Sequence, residues 1–410
     1  MLEDLALPVA PVAWDEHEWR PRAPEAFSRR EVLRQTGTYC SAVVPSLSTV
    51  ELTMKPELAA LVDEATSALA SFDTEVHTAA GSASALPPAA VLLRTESASS
   101  SQIEQLTTSA KQLALAQIDE PVGANASTVN RNVRAMRAAL DIPDELSIEA
   151  ILTMHRALIG SAEEQLPLGQ VHVGGELRRE LVWIGGTDSA GPRGAEYVAP
   201  QAELVEPAMV DLMEFVRRED IPRLVHAAVA HAHFETIHPF TDGNGRTGRA
   251  LVHAMLRSSG LVSASVVPLS AGLLRDTAEY FKALEAYRTG DAGPIVTSFA
   301  QAALFAVHAG RFLMADLASE VEKARQKLEG VRPQAAAWKV VSLLQNQPIV
   351  NAQFLVHTLG ITEMTAGRAL AVLTKRGVVR ELTGRSRNRI WQHDGILDTL
   401  DSFGKRSRRG

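Results

Sequence analysis

The sequence predicts a mainly α-helical protein that carries one short β-hairpin and ends in a winged helix-turn-helix domain. Three observations indicate this. Hydrophobic residues make up 46% of the 410-residue chain but aromatic residues only 5%, which favours helix over sheet. Apolar residues recur at helical spacing over most of the chain. Beyond residue 334, three helical segments precede two strand-like segments, the order of elements in a winged helix.

Charge and cysteine content limit the classes of function. A formal net charge of -7 argues against affinity of the whole chain for nucleic acid, but it leaves local basic patches open. Cys40 is the single cysteine, so an internal disulfide and a thiolate zinc cluster are excluded. The chain has neither the pattern of a signal peptide nor an apolar run of about 18 residues. We therefore expect a cytoplasmic protein without a membrane-spanning segment.

The helices are expected from apolar spacing and capping residues. Prolines interrupt residues 1–50, which we expect to be irregular. A helix is predicted over residues 89–106. A further helix is expected to begin after Ser127 as N-cap, and another to run from the N-cap Ser147 to Gly160.

Two further features divide the chain. The stretch "GQVHVGGELRRELVWIGG", residues 169–186, has glycines at both ends and a β-prone centre, so we predict a hairpin there. Residues 329–334 are predicted to be a linker. We therefore expect an N-terminal helical region over 1–130, a core over 131–328 and a winged helix over 329–410.

The densest chemistry lies in "HPFTDGNGRTGR", residues 238–249, between two predicted helices. Gly243 and Gly245 stand just before a helix, where glycine allows close backbone approach. The unpaired N–H groups at the start of that helix form an anion site. Arg246 and Arg249 lie three residues apart, on one helix face, where both can bind phosphate.

The same stretch supplies an acid and an imidazole. Asp242 is an oxygen ligand suited to Mg²⁺ on a polyphosphate, and His238 is a candidate general base. We weighed a zinc site, because His226, His231 and His233 lie nearby. However, His231 and His233 point to different helix faces, and no HExxH motif is present. Together the residues favour nucleotide chemistry, namely transfer of a phosphate-linked group.

At every specified position, "HPFTDGNGRTGR" resembles the Fic motif, His-x-Phe-x-[Asp/Glu]-Gly-Asn-Gly-Arg-x-x-Arg. The preceding "AHAHFETIHPF" is also similar, and the resemblance covers roughly residues 50–310. It implies a helical nucleotidyltransferase that moves AMP from ATP, with Mg²⁺, to a Ser, Thr or Tyr hydroxyl of a target protein. Self-modification and a homodimer stay open.

The resemblance also implies the roles of individual residues. His238 is the base, Asp242 the Mg²⁺ ligand, and Phe240 an inward-facing wedge. Arg249 binds the γ-phosphate. The nucleotide-binding residues implied by position are Gly243, Asn244, Gly245, Arg246, Thr247, Gly248 and Arg249. Tyr280 is similar to an aromatic residue near the nucleotide, although core packing explains it equally well.

Two other stretches resemble Fic features. "GELRRELVWIGG" is similar to the flap pattern Gly-x-x-Arg-x-x-x-Val-x-Ile, which implies that a target segment docks on Leu181, Val182, Trp183 and Ile184 by strand addition. "SSSQIEQL" resembles the inhibitory motif [Ser/Thr]-x-x-x-Glu-[Gly/Asn], with Ser100 and Glu104. The motif implies that Glu104 pairs with Arg249 and inhibits the enzyme. Gln105 departs from its last position.

The C-terminal domain adds a basic cluster in an acidic chain. Its members are Arg376, Arg380, Arg385, Arg387, Arg389, Lys405, Arg406, Arg408 and Arg409. Such a cluster is typical of contact with the phosphate backbone of DNA, although many winged helices bind proteins only. Two classes of function follow: an AMP-transferring enzyme restrained by Glu104, and a DNA-binding regulator with a nucleotide-sensing Fic part. A third version keeps the fold but uses another donor or removes AMP.

Overall fold

A computed structural model describes residues 7–21, 24–80, 89–142, 145–160, 164–165, 171–186, 191–263, 265–382, 384 and 388–406. Helices dominate this part of the chain, as predicted. Two compact units are formed: the first unit comprises Met1–Thr66, Arg134–Leu261 and Thr277–Gln301, and the second unit comprises Ser67–Val133, Val262–Asp276 and Ala302–Gly410. Three of the five boundaries between the units fall inside helices, namely α2 (Pro56–Ala80), α5 (Ala124–Leu140) and α12 (Gly293–Gln326). The predicted division at residues 130 and 328 stays a prediction.

The first unit is built around a fully buried helix. Its helices are α1 (Arg29–Gln35), α6 (Ile148–Ile159), α7 (Ala202–Val216), α8 (Arg223–Ile237), α9 (Asn244–Ser258) and α11 (Thr277–Arg288). Every residue of α8 from Leu224 to Ile237 is buried, as expected for a helix enclosed by others. The predicted caps of α6 are confirmed, since Ser147 accepts a bond from the Ala150 N–H and Gly160 ends the helix at φ 102°.

The strands of the first unit differ from the prediction. Strands β1 (Ala13–Trp19) and β2 (Gly37–Val43) pair antiparallel over seven residues, so the expectation of an irregular N-terminal stretch was wrong. The hairpin was placed wrongly too. Strand β3 (Glu164–Gln165) pairs with β4 (Val171–His172).

The flap strand finds a different partner from the one that we predicted. Strand β5 (Trp183–Ile184) pairs with β6 (Tyr197–Val198). Gly185 and Gly186, which we expected to end a hairpin, have positive φ and instead lie at a turn after β5, and Gly194 before β6 also has positive φ.

The second unit contains the helix that carries the predicted inhibitory motif. Beside parts of α2, α5 and α12 it holds α3 (Ala89–Ile103), α4 (Ala110–Ala116) and α10 (Leu269–Leu273). The expectation that α3 extends to residue 106 was wrong, because Gln105 takes a left-handed φ of 62°. The start of α5 was also placed wrongly, because α5 begins at Ala124 and Ser127 lies within it.

The end of α3 has the hydrogen bonds of a Schellman motif. The Leu106 N–H donates to the Ser101 carbonyl at 3.0 Å, and the Gln105 N–H donates to the Gln102 carbonyl at 2.9 Å. Glycine and asparagine favour the left-handed position that Gln105 occupies. In this chain the left-handed position of the Schellman motif is therefore occupied by Gln105, which favours it less than glycine or asparagine would.

Residues 336–406 form the predicted winged helix, with two elements that were missed. It contains α13 (Ala336–Leu344), α14 (Ala352–Leu359), α15 (Glu363–Lys375) and α16 (Asp394–Arg406). Strands β7 (Ile349–Asn351), β8 (Arg380–Glu381) and β9 (Ile390–Gln392) form one sheet in the order β7-β9-β8. The predicted cap of α15 is confirmed, since Thr362 accepts a bond from the Thr365 N–H. The missed elements are β7 and α16.

Within the second unit, the winged helix shares a core with α4. Three residues of α4 and its C-terminal turn pack with three of the winged helix, in a cluster of Ala114, Leu115, Ile118, Ile349, Ile390 and Leu397. Asp401 of α16 accepts a hydrogen bond from the Ala110 N–H at 2.8 Å. Among the described residues, no helix combines the length and apolarity needed to cross a bilayer.

Candidate active site

His238 stands directly at the C-terminal end of α8. It has a left-handed backbone, φ 51° and ψ 60°, and its N–H donates to the Phe234 carbonyl as the helix cap. A left-handed conformation is uncommon for any residue except glycine. The turn ends α8 and directs the chain at once into the loop that leads to α9.

The surroundings keep the His238 imidazole neutral. Burial, with the positive charges of Arg178 and Arg288, lowers the pKa of His238 to about 3. Nδ1 is buried and lies 4.0 Å from Oε2 of Glu235, which leaves Nε2 as the nitrogen available to a substrate. A neutral imidazole at pH 7 has a free lone pair with which to accept a proton.

The loop from 238 to 243 is held by its own side chains. The Asn244 amide accepts from the Phe240 N–H and donates to the Phe240 carbonyl, both at 2.9 Å. Phe240 is fully buried and stacks on His155 at 3.7 Å between ring centroids, which agrees with its predicted role as a wedge. The Asn244 side chain therefore shapes the loop, and only its backbone N–H is left for an anion.

His155 fixes the loop from the other side. Its Nδ1 accepts from the Gly175 N–H at 2.9 Å, so Nε2 carries the proton and donates to the Asp242 carbonyl at 3.0 Å. Gly243 is the N-cap of α9, with φ 78°. A Cβ there would lie 2.9 Å from the Leu158 side chain, so both backbone angle and space require glycine.

The first turn of α9 presents polar atoms to the loop. Gly245 is half-buried and lies within this turn. Arg246 is 4% exposed, and its Nε has no hydrogen-bond partner among the described residues. The same holds for Oγ1 of Thr247. Buried donors are normally satisfied, so these two atoms beside the positive end of a helix favour binding of an anion.

Asp242 lies at the mouth of this site. Its side chain is 59% exposed, and both carboxylate oxygens lie 3.3 Å from Nη2 of Arg246. Oδ1 also accepts from the Gly243 N–H at 2.6 Å. An exposed carboxylate beside an anion site fits Mg²⁺, which one or two carboxylates usually bind together with substrate phosphates.

Three of the predicted nucleotide residues lie deeper in the first unit. A Cβ at Gly248 would lie 3.0 Å from the ring of Phe234, so this glycine lets α9 approach α8. Arg249 is 2% exposed, and its charge helps to lower the pKa of His231. Tyr280 is 2% exposed and its hydroxyl lies 2.7 Å from Nε2 of His231, so core packing accounts for it.

The neighbouring histidines are structural. His231 pairs with the Tyr280 hydroxyl, and His233 pairs with the Tyr287 hydroxyl at 2.8 Å. His226 lies 2.9 Å from the Phe215 carbonyl. Within the described part of the chain, no cluster of three His, Cys, Asp or Glu side chains could hold a metal.

The four predicted flap residues are only partly accessible. Leu181 and Val182 are each 8% exposed, whereas Trp183 and Ile184 are half-buried. The Val182 and Ile184 carbonyls accept bonds from Ala199 and Glu196, at 3.1 and 2.9 Å.

Hydrogen-bonding direction alternates along an antiparallel strand. The Trp183 backbone therefore points to the opposite, outer edge of the flap.

The sequence did not predict three side chains that lie around the end of α8 at His238: Arg178, Tyr197 and Arg288. The only signal in the sequence was that Arg178 stands at the arginine of the flap pattern. Nothing in the local sequence marks Tyr197 or Arg288, because both come from elements distant along the chain.

The predicted inhibitory residues belong to the second unit. Ser100 is fully buried on α3, and Glu104 is exposed directly after the last helical residue. Other residues of α3 anchor it within this unit. Oε2 of Glu96 accepts from the Ser270 N–H at 2.9 Å, and Nδ2 of Asn132 donates to the Ser97 carbonyl at 2.9 Å.

Comparison with known proteins assigns the domains. Residues 145–256 match the model of the Fic/DOC family, and residues 338–397 match that of the HTH DNA binding domain. The chain therefore contains a Fic/DOC domain that is followed by a helix-turn-helix domain.

Curated relatives match the same part of the chain. The chain is 33% identical over 156 residues to protein adenylyltransferase fic-1 of Caenorhabditis elegans, covering 37% of this chain and 26% of the relative. It is 30% identical over 152 residues to protein adenylyltransferase Fic of Drosophila willistoni, with coverage of 37% and 26%. The chain thus spans about a quarter of the length of these relatives.

The fold is also similar to a solved structure. A Fic family protein from Desulfovibrio desulfuricans matches with a TM-score of 0.52 at 21% sequence identity, covering 83% of this chain and 97% of that one. At this identity the similarity supports the fold and not a shared activity.

Proposed function

We propose that the protein is a protein adenylyltransferase, which transfers AMP from ATP to a Ser, Thr or Tyr hydroxyl. One observation carries this proposal: a neutral imidazole at the end of α8 stands six residues before a helix that directs unpartnered buried donors towards the same loop. Support also comes from relatives that match this region and are named protein adenylyltransferases.

In the proposed reaction the target hydroxyl oxygen attacks the α-phosphorus of ATP in line. A new P–O bond forms, the bond to the β-phosphate oxygen breaks, and pyrophosphate leaves. Nε2 of His238 takes the hydroxyl proton. The low pKa of His238 keeps it deprotonated before attack, and the negative polyphosphate beside it would favour the imidazolium during attack.

The phosphates are proposed to bind at the first turn of α9. The backbone N–H groups of Asn244 and Gly245 are proposed as donors, while the Gly243 N–H is bonded to Oδ1 of Asp242 and Gly243 allows the close backbone turn. Nε of Arg246 and Oγ1 of Thr247 add two donors that are otherwise unsatisfied. Asp242 is proposed to hold Mg²⁺, which would neutralise charge on the phosphates. Catalysis then depends mainly on positioning and charge stabilisation.

The target segment is proposed to add to the flap. The outward-facing backbone of Trp183 offers one N–H and one carbonyl to an extended peptide. Because Leu181 and Val182 are buried, recognition at the flap rests on backbone pairing, with the half-buried Trp183 and Ile184 side chains alongside.

Inhibition by Glu104 is part of the proposal. The carboxylate would compete with the γ-phosphate for Arg249 and leave ATP bound in an unproductive position. Support comes from the "SSSQIEQ" pattern, from the exposed position of Glu104 at the end of α3, and from the Schellman turn that fixes its backbone. Ser100 is proposed to help orient this turn.

The test is incubation of purified protein with α-labelled ATP, GTP, CTP and UTP, followed by detection of labelled protein. Labelling with ATP is expected to exceed labelling with the other donors. His238→Ala should abolish transfer and keep nucleotide binding, because the phosphate donors lie on α9. Labelling that persists in His238→Ala would contradict the role of base.

DNA binding by the winged helix is a second candidate, favoured by the match to an HTH DNA binding domain. Of the predicted basic cluster, Arg385, Arg387, Arg408 and Arg409 lie outside the described residues. Three of the others form ion pairs, which connect Arg380 to Asp394, Arg389 to Glu381 and Arg406 to Asp316.

The contact face is therefore proposed to be α15, which exposes Arg368 and Lys375 seven residues apart. DNA binding should be measured on the full chain, because the winged helix shares its core with α4. Mobility shift with duplex DNA should weaken as salt rises and weaken further in Arg368→Ala. The absence of any shift at low salt would favour a protein-contact role instead.

A further inference from the structure

The backbone carbonyls at the C-terminal end of α8 accept hydrogen bonds from side chains of other elements. The last carbonyls of a helix lack partners within it. Here each of the carbonyls from Glu235 to His238 accepts a hydrogen bond from a side chain. The Glu235 carbonyl accepts from Nη2 of Arg288 at 3.4 Å, and the Thr236 carbonyl accepts from the Tyr197 hydroxyl at 2.5 Å. Arg178 donates to the other two, from Nη2 to the Ile237 carbonyl at 3.4 Å and from Nε to the His238 carbonyl at 2.8 Å. Two guanidinium groups thus lie at the negative end of the helix dipole.

Arg178 reaches further than this helix end. Its Nη1 donates to the Glu180 carbonyl and its Nη2 to the Pro200 carbonyl, both at 2.7 Å. Its backbone N–H donates to the Pro239 carbonyl at 2.9 Å. Glu180 stands just before the flap strand and Pro200 just after its partner strand, so one side chain bonds the flap and the base loop together.

We propose that Arg178 is the positioning residue of the candidate base, holding the left-handed turn at His238 and the target-docking flap on one guanidinium group. This inference rests on the proposed function. Arg178 contacts no reacting atom in this scheme. It acts through the backbone that carries the imidazole and through the strand on which the target segment docks.

The burial of Arg178 supports its proposed role in positioning His238. It is 4% exposed, and burial lowers its pKa to about 10. The acceptors of its guanidinium group are the backbone carbonyls of Glu180, Pro200, Ile237 and His238. A buried cation is costly, and only the planar fork of arginine offers donors to several carbonyls in fixed directions.

The arrangement also aligns two substrates. In this scheme Arg178 positions both the flap edge, on which the target strand docks, and His238. The distance between the target hydroxyl and the imidazole therefore depends on the hydrogen bonds of this one side chain. A misplacement of about 1 Å can reduce a rate about 100-fold. Loss of Arg178 should therefore lower kcat while leaving the KM for ATP nearly unchanged, since the phosphate donors lie on α9.

Substitutions can separate geometry from charge. The groups facing His238 are Arg178, Arg288, Glu235 and Asp242. Arg178→Lys keeps the positive charge but cannot bond all the carbonyls, whereas Arg178→Gln removes both. The matched control is Arg179→Gln, which removes the neighbouring arginine, whose side chain is 88% exposed.

The first measurement is labelling kinetics with the donor found in the nucleotide screen. Arg178→Gln should lower kcat about 100-fold and Arg178→Lys about tenfold or more, with the KM for ATP within about threefold of wild type. Arg179→Gln should match wild type. A kcat unchanged in both Arg178 variants, or a loss confined to the KM for ATP, would overturn the proposal.

The second measurement is the His238 pKa, by NMR of ring-labelled histidine with His238→Ala for assignment. Arg178→Gln should raise this pKa, since one of two nearby positive charges is removed, and Arg178→Lys should leave it low. An unmoved pKa in folded Arg178→Gln would place the guanidinium away from the imidazole and reject the proposal.

These two measurements distinguish the proposals. If wild type labels nothing with any donor, the adenylyltransferase proposal fails, while the NMR titration still decides whether Arg178 controls His238. If the Arg178 variants do not fold, Tyr197→Phe takes their place, because it removes only the bond to the Thr236 carbonyl. It should lower kcat about tenfold with the His238 pKa unchanged, and a kcat equal to wild type would count against the positioning scheme.

Discussion

Replacement of Gln105 by glycine should stabilise the protein and, if Glu104 inhibits as proposed, strengthen that inhibition. Gln105 holds a left-handed φ of 62° in the Schellman turn that ends α3. For a residue with a Cβ this left-handed conformation costs about 1–2 kcal/mol. Glycine avoids that cost, but its larger loss of chain entropy offsets about 0.5–1 kcal/mol. We therefore expect a net gain of about 1 kcal/mol.

The effect on inhibition follows from the position of Glu104, directly before Gln105 in this turn. If the residual activity of wild type comes from molecules in which the end of α3 has frayed, a gain of about 1 kcal/mol reduces their number about fivefold. Labelling with ATP should fall by about that factor. The melting temperature should rise by about 2–4 °C for a unit of this size.

Asp119 provides the matched control. It has a φ of 57° after α4, and the Glu120 N–H donates to the Leu115 carbonyl at 3.1 Å, the same type of turn. Asp119→Gly should raise the melting temperature similarly and leave labelling unchanged. Labelling that is equal in Gln105→Gly and wild type, despite higher stability, would refute the link between this turn and inhibition.

Three more outcomes are expected. Glu104→Gly should raise labelling with ATP by one to two orders of magnitude, since the proposed charge-assisted contact with Arg249, about 1.5–3 kcal/mol, would be removed, and adding Arg249→Ala should reverse the gain. Gly243→Ala should cost about 1–2 kcal/mol in unfolding free energy and weaken nucleotide binding measured by calorimetry, whereas Gly123→Ala, with no atom within 4 Å of the new Cβ, should do neither. Burial lowers the pKa of His233 to about 4, so below about pH 6.5 the unfolded chain binds the extra proton. The melting temperature should therefore fall from pH 7 to 5, and less steeply in His233→Gln.

Local patterns in the sequence determined most of the helices and the residues of the candidate site. Helix spacing and capping residues act over a few neighbours, so α6, α8, α9 and α15 could be predicted from the chain alone. The chemistry of the stretch from 238 to 249 could be predicted for the same reason. Its glycines, acid, base and arginines are consecutive, and their chemistry follows from residue type and spacing.

Pairings between distant segments were decided by the tertiary structure. The flap strand pairs with Tyr197–Val198 and not with its nearer neighbour, because strand pairing depends on register and packing that no local pattern records. The early end of α3 came from a left-handed turn at a residue that does not favour it. The carbonyls around His238 are bonded by Arg178, Tyr197 and Arg288, which lie far apart in sequence. Satisfying buried polar groups depends on the whole fold, so the residues that bond the turn at His238 became visible only in three dimensions.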